Sequence, residues 1–293
     1  MPDSNKTPSS QLYDLTLKDG SSTKVTVFGV KERPNAPVVI CCPAMGIDSD
    51  YYIPFAHRLV AHGFIAITTD LRGRGHSSLR PSKAVDFGYH EMLDIEYVGI
   101  FQWVEAQFPT HTLYLWGHSL GGQLGSLYAA AYPHRFSGII LATACSVYVN
   151  SWKGLERLQL NIVLRIFRTV AKLLGYFPGH RLGFGGMNTK TTILDWSHQG
   201  FTSRYEPINS TLNFEAALKK YKANVLALSV KGDYLAPPEA VEHLLQKFHP
   251  HSTLTHIHVD AADTPYKKLS HFSWVKQSDY FIQQMKKWIS HTP

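Results

Sequence analysis

Leu113-Tyr-Leu-Trp-Gly117-His118-Ser119-Leu120-Gly121-Gly122 is the stretch on which the reading of this chain turns. Apolar residues run into a glycine, a serine stands two places on, and a second glycine stands two places after the serine. Gly125, Ser126, Ala129 and Ala130 then keep the following helical segment small. A serine placed at a sharp turn from strand to helix needs this pattern, because small residues two before and two after it let the backbone turn and lift Oγ above the sheet. The five-residue match alone arises by chance in about one chain in ten of this size. Its setting between a strand and a close-packing helix gives it weight.

Working outward, short apolar and β-branched runs recur at Thr23 to Val30, Pro37 to Cys42, Phe64 to Thr69, Thr112 to Trp116, Gly138 to Leu141, Asn224 to Val230 and Thr253 to His258. Helical periods lie between most of them. In Glu91 to Phe108, Leu93, Tyr97, Ile100, Phe101, Val104 and Phe108 recur at spacings of three and four. Strand alternating with helix predicts an α/β fold, a mostly parallel sheet with helices on both faces. The alternation breaks between residues 146 and 213, which we read as a helical cap or lid inserted into a core of residues 11–145 and 214–293. Within it Leu155, Leu158, Ile162, Ile166, Val170 and Leu173 form a stripe, widened by Leu160, Val163, Leu164 and Phe167. Gly175 stops that helix, and Pro178, Gly179, Gly183, Gly185 and Gly186 make the next stretch loop-like.

A chain of 293 residues that is 44% hydrophobic buries a full core as one domain with an insertion. Residues 1–10 are polar, with no apolar stretch behind a basic start, and read as a flexible tail instead of a signal peptide. No apolar run approaches the roughly 18 residues of a membrane-crossing helix, so no integral membrane association is expected. Three cysteines, Cys41, Cys42 and Cys145, point to reduced thiols and a cytoplasmic protein. The formal net charge is +7. Basic residues neither cluster in long runs nor alternate with aromatics, which argues against nucleic acid.

Serine is a weak nucleophile until a base takes its proton and an acid orients that base. For a serine on such a turn the partners follow in the order acid, then histidine. Asp233 follows the run Val225 to Val230 in a Lys-Gly-Asp-Tyr turn, and His271 follows the next run, before the final helix. Asp260 and Asp263 are the rival acids, but they come after the last strand. His118 occupies the variable position beside the serine and is read as packing there. His256 and His258 share a strand face, but no third ligand has suitable spacing, so no metal is expected.

These residues resemble the α/β-hydrolases over Leu15 to Ile289. The chain is similar to the monoglyceride-lipase and serine-aminopeptidase-like branch, and closer still to a bacterial group of predicted α/β-hydrolases. The matching segments are Pro43-Ala44-Met45-Gly46, Asp70 to Ser77, the serine turn, Phe177 to Gly183, and His271-Phe272. The resemblance implies a catalytic triad of Ser119, Asp233 and His271, with Asp70 a structural turn residue. It also implies an oxyanion hole from the backbone N–H groups of Met45 and Leu120, although Pro43-Ala44 replaces the usual His-Gly there.

The expected activity is ester hydrolysis of a small-molecule acyl substrate through an acyl-enzyme, with no cofactor. An acyltransferase or carrier thioesterase using the same serine is the first alternative. It draws on seven basic residues between Lys153 and Lys190 against the single acid Glu156. A non-catalytic binding protein is the second, because fold does not fix function. The wide apolar face of the inserted helix makes Ile162, Ile166 and Phe167 candidates for lining an acyl pocket.

Overall fold

Val38–Cys42, Ile65–Thr69 and Leu113–His118 are each buried at every position, the signature of strands covered on both faces. Successive residues turn to opposite sides: Val38, Ile40 and Cys42 pack with Leu113, Leu115, Ile139 and Leu141, whereas Val39 and Cys41 pack with Tyr114, Trp116, Ile140 and Ala142. The computed structural model describes residues 9–132 and 134–291. Most of the tail expected over residues 1–10 therefore lies outside the described residues.

In chain order the elements are β1 (Ser10–Thr16), β2 (Ser22–Phe28), β3 (Val38–Cys42), α1 (Ile53–Ala61) and β4 (Ile65–Thr69). Next, α2 (Tyr89–Glu91) runs through a π-helical turn (Met92–Tyr97) into α3 (Val98–Gln107), and β5 (Leu113–His118), α4 (Leu120–Ala131) and β6 (Phe136–Ala142) follow. An insertion then carries α5 (Gly154–Leu174), β7 (Tyr176–Pro178), β8 (Met187–Thr189) and α6 (Lys190–Thr202). The chain returns through α7 (Phe214–Lys220), β9 (Asn224–Val230), α8 (Pro238–Leu245), β10 (Thr253–Val259) and α9 (Asp279–His291). Among the described residues the main sheet has the order β1-β2-β4-β3-β5-β6-β9-β10. Its first two pairings are antiparallel, and the others are parallel.

The strand β1 is not among those read from the sequence. Only Leu15 is buried in it, so it carries no core pattern and is held by its backbone ladder to β2, from Ser10 opposite Phe28 to Thr16 opposite Ser22. The stretch after Gly175, expected as loop, contains the short antiparallel pair β7 and β8. The order reverses around β3: the chain moves from β3 to β4 on one side, then to β5 on the other. Ligands of open α/β sheets bind at such a switch point, outside the carboxyl ends of the strands.

The insertion is tied to the core by buried polar bonds. Tyr89 N donates to Asp195 Oδ2 at 2.8 Å, and Tyr205 Oη to Gln123 Oε1 on α4 at 3.1 Å. The inward side of α5 presents Leu164, Phe167 and Ala171. Gly200 of α6 permits that contact, since a Cβ there would lie 2.5 Å from Leu164 Cδ1. Leu158, on the opposite side of α5, is 56% exposed, whereas Leu164 is fully buried. Leu164→Ala is therefore expected to cost about 2–5 kcal/mol of stability, and Leu158→Ala less than about 0.5 kcal/mol. Urea unfolding midpoints of the two variants test which side of α5 is docked.

Candidate active site

At the carboxyl end of β5 the chain turns through Ser119, whose φ of 51° and ψ of −119° are unusual for a residue with a side chain. The turn closes on glycines. A Cβ on Gly117 would lie 2.2 Å from Gly122 Cα, and one on Gly121 would lie 2.3 Å from Cys42 O at the end of β3. Ser119 O accepts from Gly122 N at 3.0 Å and Gln123 N at 3.2 Å, while Ser119 N donates to Ala142 O at 3.1 Å. The serine is thus fixed from both sides, and its residue is partly exposed. Leu120 is the first residue of α4, where backbone N–H groups have no acceptor within the helix.

The loop after β3 is clamped at three points around Met45. Ala44 N donates to Tyr52 Oη at 2.9 Å, Arg74 Nη2 to Gly46 O at 2.9 Å, and Ser49 N to Asp70 Oδ1 at 2.7 Å. Asp70 also receives His76 N at 2.9 Å, so it joins two loops. Gly46 has φ +76°, and a Cβ there would meet Gly185 of the insertion at 2.1 Å. The insertion therefore rests directly on the loop that carries Met45.

Asp233 and His271 come together across 38 residues of sequence: His271 Nδ1 and Asp233 Oδ2 are 2.8 Å apart and buried. The other carboxylate oxygen, Oδ1, accepts from Leu235 N at 3.0 Å. His271 is also held by its backbone, since its carbonyl accepts from Thr143 Oγ1 at 3.2 Å and lies 2.9 Å from His118 Nε2. His118 Nδ1 lies 2.7 Å from Tyr52 Oη. A carbonyl only accepts, so His118 Nε2 carries the proton and its Nδ1 accepts from the Tyr52 hydroxyl. One chain of bonds therefore runs from the Met45 loop through Tyr52 and His118 to the backbone of His271.

The other residues singled out from the sequence have different partners. Asp260 pairs with Lys231 at 2.6 Å, and Asp263 is exposed. His256 and His258 both bond Ser229 Oγ, at 2.8 and 2.7 Å. All three thiols are buried, and burial pushes the thiols of Cys41, Cys42 and Cys145 up, away from thiolate chemistry. Tyr52 and Thr143 were missed in the sequence. Neither belongs to a local motif, and only the fold brings them to the histidines.

The three residues expected to line an acyl pocket are separated by the structure. Phe167 faces inward, its ring centroid 4.5 Å from Phe177 and 5.2 Å from Phe184. Ile162 and Ile166 differ from the expectation: they are 48% and 50% exposed, on the outer side of α5. The helix has two apolar sides, and composition does not reveal which one docks.

The family model described as alpha/beta hydrolase fold matches residues 37–206, and the chain belongs to that family. It is 33% identical to the monoglyceride lipase of Saccharomyces cerevisiae over 88 residues, which span 29% of this chain and 28% of that protein. The structure of a soluble variant of that yeast lipase with a substrate analog superposes with a TM-score of 0.71 at 15% identity, covering 99% of this chain and 97% of the other. An esterase from Exiguobacterium antarcticum superposes with a TM-score of 0.60 at 16% identity, covering 94% and 98%. These structural likenesses establish the shared fold.

Burial holds the His118 imidazole neutral, well below the ordinary histidine range, and the neighbouring His271 acts in the same direction. The unfolded chain takes up that proton near pH 6.5 while the folded protein does not. Below about pH 6.5 the unfolded state therefore binds more protons, and stability falls as pH falls. Denaturant midpoints are expected to drop between neutral pH and about pH 5. His118→Gln should remove up to about 1.4 kcal/mol per pH unit from that slope. An unchanged slope would contradict the neutral, buried assignment.

Proposed function

We propose that this protein is a serine-dependent ester hydrolase acting through Ser119, His271 and Asp233. The observation that carries the reading is the buried 2.8 Å contact of His271 Nδ1 with Asp233 Oδ2, on the same sheet edge as the strained Ser119 turn. Asp233 holds the imidazole with Nδ1 protonated, leaving Nε2 to take a proton from Ser119 Oγ. The serine oxygen then attacks the ester carbonyl. Backbone N–H groups of Met45 and Leu120 receive the developing oxyanion, one from the clamped loop and one from the start of α4. Protonated His271 gives its proton to the leaving alcohol, and an acyl-enzyme remains. Water, deprotonated in turn by His271, releases the acid and restores Ser119.

The likeness to a monoglyceride lipase and to an esterase supports an ester as the substrate class. In this reading the insertion is a cap. The ring cluster of Phe167, Phe177, Phe184 and Trp196 forms a wall for the acyl chain. Its link to the reacting centre is Gly185, beside Phe184, where a Cβ would stand 3.0 Å from Met45 Sδ.

Ser119→Ala is expected to fold as wild type by circular dichroism, to lose p-nitrophenyl ester turnover and to escape labelling by a fluorophosphonate. Asp233→Asn should lower kcat by about 10⁴-fold through the wrong imidazole tautomer, with Asp260→Asn nearly silent. Equal turnover by folded Ser119→Ala would overturn the assignment.

Acyl-chain preference tests the wall separately. Each methylene that leaves water adds about 0.8 kcal/mol, so kcat/KM should rise from acetate to medium-chain esters in wild type. Phe167→Ala should flatten that rise, and a profile unchanged by the substitution would remove Phe167 from the acyl site.

A further inference from the structure

Among the described residues the outer side of α5 has no partner, yet it is aliphatic. Leu155, Leu158, Ile162, Ile166 and Leu173 are 67%, 56%, 48%, 50% and 79% exposed. At 100° per residue they fall within about 80° of arc, opposite the docked Leu164, Phe167 and Ala171, and they run for about 27 Å along the helix. Isolated exposed leucines are ordinary on a protein surface, but an aliphatic ridge, interrupted here by the exposed Thr169, marks an interaction site.

The flank of the ridge is basic. Arg157, Arg165 and Lys172 are exposed on one side of α5, between the exposed and docked faces, Arg168 on the same side donates to Ser197 Oγ of α6 at 3.2 Å, and Glu156 is the only acid of the helix. Two surface cavities of about 520 Å³ each open along that flank. One is bounded by Arg157, Asn161 and Arg165, and the other by Arg165, Arg168, Lys172 and His198. No helix among the described residues is long and apolar enough to cross a membrane.

We propose that this face of α5 docks the protein onto the surface of an anionic phospholipid bilayer, the aliphatic ridge entering the acyl boundary and the basic flank meeting lipid phosphates. A helix with an aliphatic face beside arginine and lysine lies in a membrane interface by this combination, and each basic residue near an anionic surface adds attraction that salt screens. Charge selects this occupant. An antiparallel second copy would bring the same basic flank against itself, and a second copy in either orientation brings together two proteins of net charge +7. The proposal is independent of the ester-hydrolase reading, since docking needs none of Ser119, Asp233 and His271.

The test is sedimentation of the full chain with vesicles of phosphatidylcholine alone and of phosphatidylcholine mixed with phosphatidylglycerol. The protein is expected to pellet with the anionic vesicles and to be released by salt. Leu155→Glu/Leu158→Glu should weaken that binding by more than about tenfold, because two aliphatic side chains no longer enter the acyl boundary. Arg157→Glu/Lys172→Glu should abolish the preference for phosphatidylglycerol. Both double variants change exposed positions, so circular dichroism and hydrolysis of a water-soluble ester should match wild type. If ester hydrolysis is absent in wild type as well, the catalytic reading fails while the vesicle result stands on its own. Wild type left in the supernatant with anionic vesicles would overturn the proposal, as would Leu155→Glu/Leu158→Glu pelleting as well as wild type. A dimer in solution that the leucine variants dissociate, without vesicle binding, would assign the ridge to a second copy instead. Binding of an acidic acyl-carrier protein without vesicle binding would assign it to that partner.

Discussion

The approach of α4 to the ends of β3 and β5 governs the geometry of the whole site. With Gly121 against Cys42 O and Gly117 against Gly122, there is no room for a single extra carbon at either glycine. That contact forces Ser119 into its positive φ and points the start of α4 at the same space as the loop after β3. A side chain at Gly121 would push the helix off the sheet. The serine and the Leu120 N–H would then both move relative to Met45. Strain at one residue is tolerated because the surrounding contacts fix it from every side.

The loops around the serine are held by polar groups that the protein interior makes unforgiving. Asp70 is fully buried and accepts from Ser49 and His76 on two separate loops. Tyr52 and His118, both buried, continue that bracing to the backbone of His271. Each bond in this chain has its direction set by the one before it. The Ala44 N–H requires the Tyr52 oxygen as acceptor, which turns the Tyr52 proton to His118. A protonated His118 could not accept it, so burial that keeps the imidazole neutral also keeps the bracing intact. The loop bearing Met45 and the loop bearing His271 are thereby positioned by a common set of side chains. In the mechanism we propose, preorganisation of this kind lets backbone donors act on a developing oxyanion without first reorganising.

The central strands and the serine turn were legible in the sequence because their residues are dictated locally. Buried parallel strands must be apolar throughout, as Val38–Cys42 is, and a turn without room for Cβ must be glycine. The places of Asp233 and His271 were legible through chain order, since each follows a strand. What escaped was set by non-local pairing. β1 buries only Leu15 and exists through its ladder to β2. Tyr52 and Thr143 are ordinary residues until folding brings them to His118 and His271. The direction of α5 escaped for a related reason: amphipathic reading assumes one apolar side, and this helix has two.

That second apolar side links the energetics of the fold to its surroundings. A helix with one docked face is stabilised fully by its own protein, and its outer residues are free to be polar. Here the inner residues Leu164, Phe167 and Ala171 already anchor α5, and the outer leucines and isoleucines keep about half or more of their surface exposed. They lower solubility, which the four basic residues of the same helix counter. Such a surface makes physical sense only where something removes it from water. The insertion that bears it also rests on the Met45 loop through Gly46 and Gly185. A force on the outer face of α5 therefore reaches the loop that carries Met45 only through β7 and the turn that bears Gly185.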